Sequence, residues 1–225
     1  MAVNIAIDGP AGAGKSTIAK AVAKELAFIY VDTGAMYRAM ALYLIRQGIS
    51  PEEKGKMEEA CREADISIVY EDGVQQVILN GENVTPYLRK EEVGNMASVS
   101  SGNPVIREKL VELQRKLAAR SNVVMDGRDI GTVVLPDAQV KIFLKAGNEE
   151  RARRRYEELI AKGQDVKFED VLDDMLKRDK NDSTRTAAPC VPAHDAVLLD
   201  NSGFEPEMTE RKAMEIINAK LGTKF

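Results

Sequence analysis

Histidine is nearly missing from this 225-residue chain: there is one, His194, in a stretch rich in proline and alanine. Imidazole acid–base catalysis and a histidine-based metal site therefore have no residues to run on. Cysteine is almost as scarce. Cys61 and Cys190 stand far apart with no C-x-x-C spacing, which argues against a disulfide framework or a zinc site and fits a reducing compartment. There is no excess of either charge: 32 Lys and Arg oppose 36 Asp and Glu, a net of −4. The basic surplus of a nucleic-acid binder is lacking, although basic residues cluster at one place. No apolar run approaches the length of a membrane span, and Met1-Ala2-Val3-Asn4 leads straight into a strand pattern without a signal peptide. The expectation is a cytoplasmic protein with small-molecule substrates, no nucleic acid and no membrane. Its chemistry must run on lysine, arginine, aspartate and a bound metal.

The chain does have a glycine-rich stretch with the pattern G-x-x-x-x-G-K-[ST]: Gly9, Pro10, Ala11, Gly12, Ala13, Gly14, Lys15 and Ser16, followed by Thr17. A short apolar strand, Val3–Ile7, precedes it. A helix follows over Thr17–Leu26, with Ile18, Val22 and Leu26 on one face. Glycines let successive N–H groups turn inward around a phosphate, and the helix directs its positive end at the same point. In this P-loop pattern Lys15 reaches the outer phosphates of a nucleoside triphosphate and the Ser16 hydroxyl ligates Mg²⁺.

The rest of the chain alternates strand and helix. Phe28–Val31 reads as a strand, with Thr33 capping the next helix, which opens on Tyr37 and Arg38. Such a strand end carrying a hydroxyl, an aromatic ring and an arginine suits a second anion site. Ser50-Pro51-Glu52-Glu53 has the form of a capped helix start, running to about Ala64. Ile66–Tyr70, a D-G turn, Gln75–Leu79, an N-G turn and a third short strand near Val84 predict a small antiparallel unit, 66–86, too small to stand alone. Helices are expected over Glu91–Ser101 and Pro104–Arg120, the second capped by Asn103, with Ser98 and Arg107 beside the break.

Val123–Met125 should be a buried strand ending in Asp126-Gly127-Arg128-Asp129, where a carboxylate beside a P-loop holds magnesium directly or through water. After the strand Val140–Leu144, Arg151-Ala152-Arg153-Arg154-Arg155 falls at a helix start. Cations there oppose the macrodipole, a cost explained if an anion lies among them. Arg178, Asp182 and Arg185 follow at i, i+4 and i+7, able to share a face if the helix of Phe168–Asp182 extends that far. The chain closes with a loop through Pro192, a strand over Ala196–Asp200 and a helix over Glu205–Leu221.

Together these pieces predict an α/β fold: a P-loop open parallel sheet with helices on both faces and a small antiparallel β insert. A site made of one lysine, several arginines, a few aspartates and Mg²⁺ suits phosphoryl transfer, which needs positioning and charge neutralisation more than covalent chemistry. The N-K-x-D element of a guanine reader is missing, and a motor ATPase would be longer. The residues alone leave open a kinase for a sugar, a shikimate-like acid or another nucleotide, and a nucleotide-binding regulator without catalysis.

Five segments carry a closer likeness: 9–17, Asp-Thr-Gly-Ala-Met-Tyr-Arg at 32–38, Asp-Gly-Arg-Asp-Ile-Gly-Thr at 126–132, Val-Lys-Ile-Phe-Leu at 140–144 and Arg-Asp-Lys-Asn-Asp-Ser-Thr-Arg at 178–185. In order and spacing the chain resembles the bacterial cytidylate kinases, and 66–86 resembles the insert of their long form. The resemblance implies an ATP- and Mg²⁺-dependent kinase that makes CDP or dCDP from CMP or dCMP. It implies a core over 1–65 and 87–225 with a lid at about 147–167, and a monomer is expected. It assigns the acceptor phosphate to Arg38, Arg128 and Arg185, the cytosine edge to Ser98, Arg107 and Asp129, and the sugar and phosphate to Arg178 and Asp182. Thr33 stands where serine is common and keeps the hydroxyl. Thr33, Tyr37 and Asp126 complete the acceptor pocket. Lys15, Arg128, Arg151, Arg155 and Arg185 would neutralise charge on the phosphoryl group in transit.

Overall fold

The computed structural model describes residues 2–222, so Met1 of the run leading into the first strand lies outside the described residues. In chain order the elements are β1 (Asn4–Asp8), α1 (Lys15–Glu25), β2 (Ile29–Asp32), α2 (Thr33–Arg46), α3 (Lys54–Glu63), β3 (Ile66–Glu71), β4 (Val74–Leu79) and β5 (Glu82–Asn83). After a 3-10 turn at Thr85–Tyr87 come α4 (Glu91–Ser100), α5 (Pro104–Arg120), β6 (Val123–Gly127), a π-helical turn at Ile130–Val134 and β7 (Val140–Lys145). The chain continues through α6 (Asn148–Ala161), α7 (Phe168–Thr184), β8 (Val197–Asp200) and α8 (Pro206–Leu221). Two compact units result: Met1–Tyr30 with Asn122–Phe225, and Val31–Ser121.

The first unit is organised on a five-stranded sheet ordered β2-β6-β1-β7-β8. The pairings β1–β6, β1–β7 and β7–β8 are parallel, with Ile7 opposite Asp126 and Asp8 opposite Gly127. Every residue of β6 is buried, as a strand covered on both faces demands. Ile5, Ile7, Val124, Ile142 and Leu144 form the core with Ile18 and Val22 of α1 and Met214 and Ile217 of α8. Each fully buried isoleucine contributes about 1.5–3 kcal/mol relative to exposure. β1 lies in the middle of the sheet, so the loop after it leaves from the central strand. β6 and β7 flank it, and their C-terminal ends bring polar groups to the same edge.

The second unit is built around α2, buried along Met36, Met40 and Leu44. The three-stranded sheet β3-β4-β5 is antiparallel. Asp72-Gly73 and Asn80-Gly81 have both residues at positive φ, the primed turns that D-G and N-G favour. The sheet docks on α2 within this unit. The Gln75 side chain accepts from the Asp32 N–H at 2.9 Å and donates to its carbonyl at 3.2 Å.

Three local expectations need correction. The cap of α2 is Asp32, whose Oδ1 accepts the Ala35 N–H at 2.9 Å; Thr33 is the first helical residue and is buried. The apparent capping box at Ser50–Glu53 forms a β-turn instead, with Glu53 N–H on the Ser50 carbonyl at 3.0 Å, and α3 begins only at Lys54. Its glutamate half survives, since Glu53 Oε2 accepts the Ser50 N–H at 3.0 Å. Arg151 does not open α6. Asn148, Glu149 and Glu150 do, so the first turn is acidic and the macrodipole argument for an anion at Arg151 falls away.

Asn103 does cap α5, its Oδ1 accepting from Val105 N at 2.9 Å and Ile106 N at 3.3 Å. Asn103→Ala should cost about 1 kcal/mol, or roughly 2–4 °C in Tm, in a calorimetric scan. An unchanged melting point would show the cap to be replaceable by water.

Candidate active site

The P-loop leaves β1 through Gly9, at φ 148°, where a Cβ would stand 2.0 Å from the Leu144 carbonyl oxygen of β7. No other residue fits that approach. Gly12, at φ 71°, lies against Met175 of α7 and the Arg151 backbone, and a Cβ there would meet Met175 Cε at 2.8 Å. Lys15 folds back over the loop and donates to the Pro10 carbonyl at 2.7 Å. Its side chain is buried. Burial and then the Arg128 guanidinium push its ammonium well below the usual lysine range, against the pull of Asp126 and Asp8. A nearby phosphate would restore the charged form.

Ser16, at the second position of α1, donates to Asp126 Oδ2 at 2.8 Å. Tyr30 donates to the other oxygen, Oδ1, at 2.9 Å. The strand-end carboxylate and the P-loop hydroxyl are thus hydrogen-bonded to each other, and the tyrosine that also binds the carboxylate was not singled out from the sequence. A hydroxyl beside a carboxylate is a hard oxygen pair that suits Mg²⁺ carried on a triphosphate.

Beyond Asp126, the strand-end run makes a ladder of alternating charge with the end of α7. Arg128 Nε lies 3.0 Å from Asp182 Oδ2. Arg185 lies 3.8 Å from Asp182 Oδ1 and 3.7 Å from Asp129 Oδ1. Asp129 and Asp182 are buried. Burial opposes the charge of Arg128, but Asp182, Cys190 and Asp126 together hold the guanidinium above its ordinary value. α7 ends at Thr184, so Arg185 does not continue the helical face. It turns away in extended backbone, donates from Nε to the Ala188 carbonyl at 2.6 Å, and still reaches Asp182. Arg178 sits one turn before Asp182, half-buried.

The arginine run divides. Arg151 is almost fully buried: it pairs with Asp179 at 2.6 Å and donates to the carbonyls of Ala11 at 2.8 Å and Ala146 at 3.2 Å. Asp179 also accepts the Ala11 N–H at 3.4 Å, so this pair holds both polar groups of one P-loop residue. Arg153 lies over the Phe168 ring, 5.6 Å from its centroid. Arg155 pairs outward with Glu158 at 2.8 Å.

In the second unit Thr33, Tyr37 and Arg38 share the first turns of α2. The Arg107 guanidinium lies 5.5 Å above the centre of the Tyr37 ring and donates to the Ser101 carbonyl at 3.2 Å. It thereby spans the break between α4, which carries Ser98 in its last turn, and α5. An arginine so held is oriented before a ligand arrives.

Several positions were not singled out from the sequence. Asn201, just past β8, donates to the Ala13 carbonyl at 3.1 Å and so fixes the P-loop from below. Asp179 was passed over inside a motif whose ends drew attention. Asp8, the last residue of β1, accepts two backbone N–H bonds from the π-helical turn. Its one sequence signal is a carboxylate at a strand end next to the P-loop.

A parallel sheet with a P-loop on its central strand, a hydroxyl–carboxylate pair and a buried lysine define a nucleotide-dependent phosphotransferase. Comparison with known proteins narrows the class. The sequence pattern of the family described as cytidylate kinase matches residues 5–219. The chain is 54% identical to the cytidylate kinase of Caldanaerobacter subterraneus subsp. tengcongensis over 212 residues, covering 94% of this chain and 93% of that one. It is 48% identical to the Carboxydothermus hydrogenoformans cytidylate kinase, covering 97% and 98%. For the Bacillus subtilis cytidylate kinase the identity is 43%, with 97% of each chain covered. Among solved structures, an uncharacterized protein from Eubacterium ventriosum shares the fold at a TM-score of 0.54 and 12% identity, covering 96% of this chain and 99% of that one. The chain belongs to the cytidylate kinase family.

Proposed function

We propose that this chain transfers the γ-phosphoryl group of ATP to CMP or dCMP, giving ADP and CDP or dCDP. The observation that carries the reading is the cluster within the first unit: Lys15, Ser16 and Asp126 at the P-loop, continued by the Arg128–Asp182–Arg185–Asp129 ladder. The first group suits a triphosphate; the second presents two guanidiniums to a monophosphate and carboxylates to a sugar hydroxyl or a base amino group. An oxygen of the CMP phosphate attacks the γ-phosphorus while the bond to the β-phosphate oxygen breaks. The attacking oxygen is already anionic, so no imidazole is required.

In this reading Gly9, Pro10, Ala11, Gly12, Ala13, Gly14, Lys15, Ser16 and Thr17 bind ATP. Arg38, Arg128 and Arg185 take the acceptor phosphate. Ser98, Arg107 and Asp129 read cytosine, Arg178 and Asp182 meet the sugar and phosphate, and Thr33, Tyr37 and Asp126 complete the set of acceptor-binding residues. Ser16 would hold Mg²⁺, with Asp126 through water, and the ion would offset charge on the triphosphate. Lys15, Arg128 and Arg185 neutralise the phosphoryl group in transit. Arg155 joins them from a lid over 147–167 after leaving Glu158, and Arg151 contributes by holding the loop at Ala11. The reading places a monomer in the cytoplasm; among the described residues both cysteines are free, and no helix is long and apolar enough to cross a membrane.

The test is ADP release with ATP and Mg²⁺ against a panel of CMP, dCMP, UMP, AMP, shikimate and a hexose. CMP and dCMP should exceed the non-nucleotide acceptors by at least about 100-fold, because a site built to hydrogen-bond a base rejects what lacks it. Chelation by EDTA should abolish turnover, and added Mg²⁺ should restore it. A preference for shikimate or the hexose would overturn the acceptor; ATP binding without turnover on any acceptor would leave a regulator.

A further inference from the structure

We infer that Asp8 is a positioning residue for the acceptor side of the reaction, holding the backbone that presents Arg128 and Asp129. The inference rests on the acceptor roles proposed above for those two residues.

Asp8 ends the strand that feeds the P-loop, and its side chain turns toward the loop after β6. Oδ1 accepts the Ile130 N–H at 2.8 Å and Oδ2 accepts the Gly131 N–H at 2.7 Å. Both bonds are buried and reach across more than 120 positions of sequence. The Asp129 carbonyl is held from the other direction, accepting Val133 N at 2.9 Å and Val134 N at 3.2 Å. The peptide groups that follow Asp129 are thus pinned on both sides. The Asp129 side chain, which pairs with Arg185 at 3.7 Å, is thereby carried on a fixed backbone.

The fit is tight on the far side of the turn. A Cβ on Gly131 would come within 3.3 Å of Asp8 Oδ2 and 3.2 Å of Lys141 Cδ. Lys141 cannot readily yield, since its ammonium is fixed by the Asp195 carboxylate at 2.9 Å and by the Pro136 carbonyl. Asp8, Gly131 and Lys141 therefore stack so that the turn has one depth.

A carboxylate is an expensive way to fill this position. Burial pushes the Asp8 carboxyl up to about 6 despite its two N–H donors. The charged groups acting on it are Asp129, which raises it further, and Lys15 of α1, which lowers it. The Cys190 thiol also feels its charge. An apolar side chain would pack here without that cost but would leave two buried N–H groups without acceptors. The pair of acceptors is what the carboxylate supplies, and both serve the acceptor-side turn.

The test compares three full-length variants by KM and kcat for CMP, by the Kd for ATP in the absence of CMP, and by thermal unfolding. Asp8→Asn keeps the volume but offers one acceptor and sets an amide N–H₂ against the other donor. KM for CMP should rise about 10- to 100-fold, with the ATP Kd within about 3-fold of wild type. Tm should stay near the wild-type value, because the amide also removes a buried charge. Gly131→Ala, with Asp8 intact, should reproduce the CMP-selective rise by lifting the turn off the carboxylate. If Asp8→Asn does not fold, Gly131→Ala alone decides. Parallel weakening of CMP and ATP, or an unchanged KM for CMP, would overturn the inference. Asp129→Ala in the same assays separates the two layers. If it is CMP-selective while the other two variants are not, the positioning role fails and the acceptor reading stands. If Asp129→Ala is itself unselective, the underlying reading fails.

Discussion

Lys15→Ala is expected to reduce turnover by about 10²- to 10³-fold or more at saturating ATP and CMP, the scale on which one charge-stabilising donor acts in a water-excluded site. The loss should fall on kcat more than on the KM for ATP. On the proposed reading the backbone N–H groups of the P-loop and the N-terminus of α1 would still bind the triphosphate, whereas the ammonium would act on the phosphoryl group as charge shifts. Stability should change little. Among the described residues the Lys15 ammonium donates to the Pro10 carbonyl, and burial disfavours its charge, so truncation removes a cost along with a contact. Steady-state kinetics with a calorimetric scan would check this. Turnover within a few-fold of wild type would remove Lys15 from the transition state.

Asp129→Ala is the second large effect. The carboxylate is buried, with Arg185 at 3.7 Å, on a backbone fixed by two carbonyl bonds to the π-helical turn. Loss of a charged hydrogen-bond partner in such a site should lower kcat/KM for CMP by about 10²-fold or more while ATP affinity moves only a few-fold. A purely structural Asp129, balancing Arg185, would instead weaken the ladder proposed to hold the acceptor phosphate, and every nucleoside monophosphate would lose alike instead of CMP and dCMP losing most. Asp129→Asn sharpens the comparison. It keeps the shape and one acceptor, so a partial recovery of CMP use at unchanged ATP affinity supports a contact to the base.

The arginines show how far residue types carry and where they stop. Arg151 and Arg155 looked equivalent as members of one basic run. In the structure Arg151 is almost fully buried and bound to Asp179 and Ala11, while Arg155 is half-exposed and paired with Glu158 within its own helix. Four residues of helix give both the same face in sequence terms, yet α7 packs only on the first. Arg185 shows the reverse: its helical spacing to Asp182 was right in outcome but not in cause, since the helix has already ended at Thr184. Ser50 had every local mark of a cap, but its hydrogen bonds close a turn because Glu53 leaves helical backbone at ψ 60°.

What the sequence determined by itself is whatever depends on neighbours a few residues apart. The P-loop is contiguous, and its glycines, lysine and serine must act together. The D-G and N-G turns, the Asn103 cap and the buried β6 likewise follow from short-range geometry and apolar runs. Tertiary structure decided which charges are paired within the protein. Asp8 meets Ile130 and Gly131, Tyr30 meets Asp126, and Arg151 meets Asp179 and Ala11 only because a parallel sheet places distant strand ends side by side. A buried charge must find its partner within about 4 Å, and no period in the sequence records a distance that closes only when the chain has folded.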